Sequence, residues 1–150
     1  MGLDMYLIKR NHIGATYAHN EVHGSLSINK CGRKLPIKLN RVQTIDELVG
    51  YWRKAYAVHN WFSCHVIGGI EDCKDYYFDI EIIKELYDDV CVTLESPQSG
   101  YIRFPGADQG EWFWQDMRET KRILHSVIKD YEECKELGIP TQEYVYRPSW

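Results

Sequence analysis

The sequence predicts an α+β fold, with an N-terminal strand-rich meander and three main helices packed on a mostly antiparallel sheet. Three observations carry this reading. The front quarter alternates apolar and polar side chains between short turns. Helical spacing of apolar residues then takes over in three separate windows. The 150 residues hold no repeat, low-complexity tract or linker, so one domain with one core is expected over 1–150.

Taken in order, residues 3–9 read as a strand with Leu3, Met5 and Leu7 on one face and Asp4, Tyr6 and Ile8 on the other. Asn11 to Gly14 is a turn, and strands are predicted near Thr16–Val22 and Ser25–Lys30. Leu35–Leu39 reads as an edge strand, because Pro36 has no N–H to give to a ladder. Thr44-Ile45-Asp46-Glu47 has the form of a capping box, opening a helix that runs to the Gly68-Gly69 stop. Ile45, Leu48, Val49, Trp52, Ala55, Tyr56, His59 and Phe62 mark its buried face.

The segment around Tyr76-Tyr77-Phe78 is a short strand or an ordered loop. Asp79 caps the second helix, with Ile80, Ile83, Leu86, Tyr87, Val90 and Leu94 inward and Glu81, Lys84, Glu85, Asp88 and Asp89 outward. Tyr101–Phe104 is read as a strand. The third helix starts between Asp108 and Glu111 and stops at Gly138-Ile139-Pro140; Gln142–Tyr146 adds a last edge strand.

Composition narrows the function classes. A net charge of −4 gives no global basic field, so duplex nucleic acid is a disfavoured partner, although Arg33, Lys34, Lys38 and Arg41 form a local basic segment. No apolar run approaches the ~20 residues needed to span a bilayer, and the start lacks a secretory leader pattern. Five cysteines without a C-x-x-C pair fit reduced thiols in a cytoplasm. Cys64, His65, Glu71, Asp72 and Cys73 are metal-ligand types at no common zinc spacing, so no metal and no cofactor are expected. There is no G-x-S-x-G, P-loop or G-x-G-x-x-G, and no catalytic residue is assigned.

Three clusters carry candidate binding chemistry. Tyr51–Phe62 mixes Trp52, Tyr56 and Trp61 with Arg53, Lys54, His59 and Asn60, rings that stack and groups that hydrogen-bond to oxygens. Taken singly, Trp52, Tyr56, His59 and Phe62 also read as ordinary core. Gln98-Ser99-Gly100 leads into Arg103, a small polar loop beside a cation. In Glu111-Trp112-Phe113-Trp114, three successive aromatics cannot all face one core, so Trp112 or Trp114 reaches a cleft, an interface or solvent.

The blocks Met1–Leu7, Tyr51-Trp52-Arg53-Lys54-Ala55 with His59 and Trp61-Phe62, Asp72-Cys73 with Tyr76-Tyr77, Gln98-Ser99-Gly100, and Glu111-Trp112 with Asp116 occur in one order. In this the chain resembles a family of small uncharacterised bacteriophage and prophage proteins, from Met1 to about Ile128. After the Ser-Gly it departs from the family's Phe-rich run with Tyr101-Ile102-Arg103-Phe104. The resemblance implies a phage protein in the cytoplasm of a bacterial host.

In that setting the residues point to capture of a nucleotide-like signalling molecule that serves host defence. Trp52, Trp61, Trp112 or Trp114 would stack the base, Arg53, Lys54, His59 or Arg103 would hold phosphate, and Asn60, Gln98 and Ser99 would read polar edges. The alternatives are a module inhibiting a host protein through exposed Trp112, Trp114 and Trp150, a homo-oligomer, and a nucleotide-processing enzyme with His59 as acid or base beside Glu71, Asp72 or Glu111.

Overall fold

Residues 2–14, 16–69, 72–139 and 142–150 are described by the computed structural model. In chain order the elements are β1 (Asp4–His12), β2 (Asn29–Lys30), β3 (Arg33–Lys34), β4 (Thr44–Arg53), α1 (Tyr56–Phe62), β5 (Tyr76–Phe78), α2 (Ile80–Glu95), α3 (Pro97–Arg103), α4 (Glu111–Glu136) and β6 (Glu143–Ser149). This is the α+β fold expected, with a four-stranded antiparallel sheet in the order β4-β1-β6-β5 and a separate β2–β3 hairpin.

Alternation along β1 sends Met5 and Leu7 into the core with Leu3. Trp52, Tyr144 and Tyr146 join them from the flanking strands, and Phe62, Leu86, Met117 and Leu124 close the cluster from the helices. Lys9, buried on the same strand, reaches α4 through Asp130 at 2.6 Å. On the alternate positions of β1, Arg10 pairs with both oxygens of Asp46 at 2.8 and 2.7 Å and donates to the Tyr77 hydroxyl. Arg147 holds Asp75 in the same bidentate way.

The N-cap Asp79 accepts from the Glu81 amide at 3.1 Å, and α2 buries Ile80, Ile83, Leu86 and Val90 as its spacing requires. Helix α4 buries Phe113, Met117, Thr120, Leu124 and Val127, then closes on Gly138 in the left-handed region (φ 70°). The Pro140 stop lies outside the described residues.

Several expected elements differ. The helix predicted from Thr44 is strand β4 as far as Arg53, and the residues of the supposed capping box pair with Lys9 to His12. Local pattern loses here to the ladder that β1 offers. Val49 is skipped in the register, since Leu7 faces Gly50 and Ile8 faces Leu48; this bulge turns Gly50 and Trp52 into the core while Ile45 and Leu48 stay exposed. Lys54 then takes a positive φ of 58°, its amide bonding to the Leu3 carbonyl at 2.7 Å, and the chain swings from strand into α1.

Thr16–Val22 contains a 3-10 turn at Ala18–Asn20 in place of a strand, the strand in Ser25–Lys30 is only Asn29–Lys30, and Leu35–Leu39 is not a strand. Tyr101–Phe104 lies in and just after α3, which Pro97 starts at the position where a missing N–H costs nothing. The tail strand is not an edge: β6 sits between β1 and β5. Among the described residues no helix is long and apolar enough to cross a membrane.

Gly50 tests the β4 assignment. A Cβ there would lie 2.7 Å from the Ile123 Cγ2 methyl and 3.2 Å from the Leu7 Cβ, neither the end of a flexible chain. Gly50→Ala is therefore expected to destabilise the fold by about 1–3 kcal/mol in urea unfolding; a helical Gly50 would instead gain stability from alanine.

Candidate functional site

The cleft where the predicted residues converge most lies between α1, α2 and α3. It encloses about 280 Å³ and is lined by Asn60, Trp61, Cys64, His65, Glu85, Asp89, Ile102 and Arg103, with Phe104 and Pro105 at one end. Helix α1 supplies Asn60 and Trp61 and continues as a π-turn over Ser63–Ile67, stopping where Gly68 enters the left-handed region. That wider turn carries Cys64 and His65. Glu85 and Asp89 stand four residues apart on α2, hence on one face. Arg103 ends α3.

Asp89 is the centre of this arrangement. The residue is only 7% exposed, and its two carboxylate oxygens take one donor each. Oδ2 accepts from the Trp61 indole N–H at 2.8 Å, and Oδ1 accepts from Arg103 Nη1 at 2.9 Å. Thr93, a turn further along, donates to the Asp89 carbonyl at 2.7 Å. One buried carboxylate therefore ties α1 and α3 to α2.

The His65 ring stacks on Trp61 with centroids 3.8 Å apart and planes 7° from parallel. Its Nδ1 lies 2.8 Å from the Trp61 carbonyl, which can only accept, so Nδ1 carries hydrogen. Its Nε2 lies 3.8 Å from Glu85 Oε1. Arg103 commits Nη1 to Asp89 while about half of its side chain (49%) stays exposed, so the remaining donors of the fork are available at the cleft. The charges are two carboxylates against one guanidinium, an excess of one negative charge, which suits a ligand offering N–H donors together with a neutral acceptor.

Of the predicted site residues, the cleft gathers Asn60, Trp61 and Arg103. Trp61 is there as framework and not as a stacking surface: it is 3% exposed, covered by His65 on one side and met edge-on by Phe62. Trp52 belongs to the core, donating to Thr120 at 2.9 Å, because β4 turns it inward. His59 is buried with Nδ1 2.7 Å from the Tyr146 hydroxyl, and Asp72 is engaged by Lys74 and Tyr76, so the proposed acid–base pairing of His59 with Asp72 is not made; Glu71 lies outside the described residues.

Arg53 ends β4 near Asp4, and Lys54 forms the corner after it; neither lines the cleft. Gln98 and Ser99 lie in the first turn of α3, also away from its lining. Trp112 is 77% exposed and Trp114 packs against Phe113, and neither lines the cleft that holds Trp61 and Arg103.

Sequence reading missed Asp89, Glu85 and the use of His65. The signal for Asp89 was present, since Leu86, Asp89, Val90 and Thr93 form one helical stripe. A wider depression of about 590 Å³, between β5, the start of α2 and β6, is lined by His12, Tyr77, Glu81, Tyr131 and Glu143. It is larger and more open, and it holds none of the predicted residues. The smaller cleft is the better candidate because groups from three helices are fixed there by buried hydrogen bonds.

Comparisons of the chain with protein-family models, with curated proteins and with solved structures return no match.

Asp89→Ala leaves the Trp61 indole N–H and one arm of Arg103 without their acceptor. It is expected to cost about 1–3 kcal/mol, read by denaturant unfolding, and to alter tryptophan fluorescence. Unchanged stability and emission would mean that Asp89 does not organise the three helices.

Proposed function

We propose that this chain is a small-ligand-binding protein whose α1–α2–α3 cleft captures the base or nucleoside part of a nucleotide-like molecule. The observation that carries the reading is the Asp89–Arg103 pair, which holds a half-exposed guanidinium in a fixed pose beside Asn60 and His65. A preorganised fork of this kind recognises a planar acceptor edge. Asn60 adds an amide with both donor and acceptor, and Glu85 adds an acceptor for an amino group. Ile102, Phe104 and Pro105 supply apolar contact, and the outer side of the His65 ring gives a flat surface.

The volume sets the size. About 280 Å³ lies at the lower end of ligand pockets, so the cleft takes a group of nucleoside or mononucleotide size and leaves further phosphates in solvent. Holding without turnover fits a cleft whose best-placed charged groups are already bonded to one another. In the phage setting that the sequence resemblance implies, such a protein would sequester a host defence signal in the bacterial cytoplasm. A second reading, inhibition of a host protein, is favoured by one observation: Trp112 stands exposed on the first turn of α4.

Protein purified from cells and then denatured is expected to release a compound absorbing near 260 nm, identifiable by mass spectrometry. Arg103→Ala and Asn60→Ala should each weaken its retention by about tenfold or more, while Arg53→Ala and Gln98→Ala retain it. Loss of ligand in Arg53→Ala with full retention in Arg103→Ala would move the site out of this cleft. Steady conversion of the released compound to a product would favour an enzyme instead.

A further inference from the structure

The segment 16–43 is the least economical part of the fold. None of its residues is buried, and Tyr17, Val22, Ile28 and Ile37 are all exposed. It is nevertheless built: Cys31 and Gly32 take positive φ of 53° and 72°, the geometry of a two-residue hairpin turn. Asn29 pairs with Lys34 and Lys30 with Arg33, and the Leu35 amide extends the ladder to the Ile28 carbonyl at 2.8 Å. By the period of two, Ile28 and Leu35 share one face of this ribbon with Lys30 and Arg33 near its tip. An isolated hairpin of this kind does not offset the entropy of ordering it, so its stability requires a cover.

Charge identifies the cover. Segment 16–43 holds five cations (Lys30, Arg33, Lys34, Lys38, Arg41) and one acid (Glu21), out of eighteen cations and twenty-two acids in the whole chain. The remainder of the molecule therefore has an excess of eight acids. A nucleic acid backbone would neutralise the cations but leave Ile28, Leu35 and Ile37 in water. A protein surface with apolar residues and an acidic rim satisfies both. The chain carries one itself: Tyr101 of α3 and Trp112 of α4 are among its most exposed large apolar side chains, with the exposed acids Asp108 and Glu111 between them in sequence.

We infer that segment 16–43 is a docking arm, and that it seats on the α3–α4 corner of a second copy of this chain. Two arms exchanged about a two-fold axis would make the contact reciprocal.

Sedimentation analysis of the full chain is expected to give a dimer or larger closed assembly. Ile28→Asp with Ile37→Asp should shift it to monomer mass, and so should Trp112→Asp. Because none of these three side chains belongs to the buried core, far-UV circular dichroism and the melting of the monomeric variants should show an intact body. A photo-crosslinker at position 28 should join the arm to a peptide within 101–112 of a second copy. Monomeric wild-type protein would overturn the inference, as would crosslinks that map elsewhere on the second copy. Tight, salt-sensitive binding of an oligonucleotide by wild-type monomer, lost in Arg33→Glu with Lys34→Glu, would assign the arm to nucleic acid instead.

Discussion

A carboxylate taken out of water must be given donors, and at Asp89 that requirement organises the cleft between α1, α2 and α3. Two oxygens need two partners; the chain supplies an indole N–H from α1 and a guanidinium from the end of α3. Neither helix is long: α1 and α3 have seven residues each, too few to be stable alone. Their positions follow from packing on α2 and α4 and from this shared acceptor. The cleft is the space left between three elements that converge on one side chain.

The same logic explains why the site was only partly legible from the sequence. Residues whose role is set by local structure were read correctly: Asp79 as a cap, Gly138 as a stop, and the apolar stripes of α2 and α4. Residues whose role depends on distant partners were not. Thr44 to Trp52 has apolar residues at spacings that fit a helix, yet the register with β1 makes it a strand and sends Trp52 to Thr120 across the core. Asp89 looked like a solvated acid because its donors lie 28 residues before it and 14 after it.

The expected aromatic, donor-rich helix is not one element. One aromatic run is divided between the end of β4 and α1, so its rings serve different purposes. Trp52 fills the interior, Tyr51 bonds to Asp4 on the sheet, and Trp61 braces the cleft. Arg103 was named on account of a strand that is in fact a helix, but a cation at that position meets α2 because α3 packs against it. The basic hairpin β2–β3, paired only with itself and with none of its residues buried, is the ground for the proposed docking arm.

The most direct test of the Asp89-centred cleft follows the tryptophan indole N–H resonances in a ¹⁵N-labelled sample while nucleoside monophosphates are titrated in. The account predicts movement of the Trp61 indole signal and of the Asn60 and His65 amides, with the Trp52 and Trp112 indoles unaffected. Saturable shifts centred on Trp112 or Arg53, with Trp61 and its neighbours still, would contradict it.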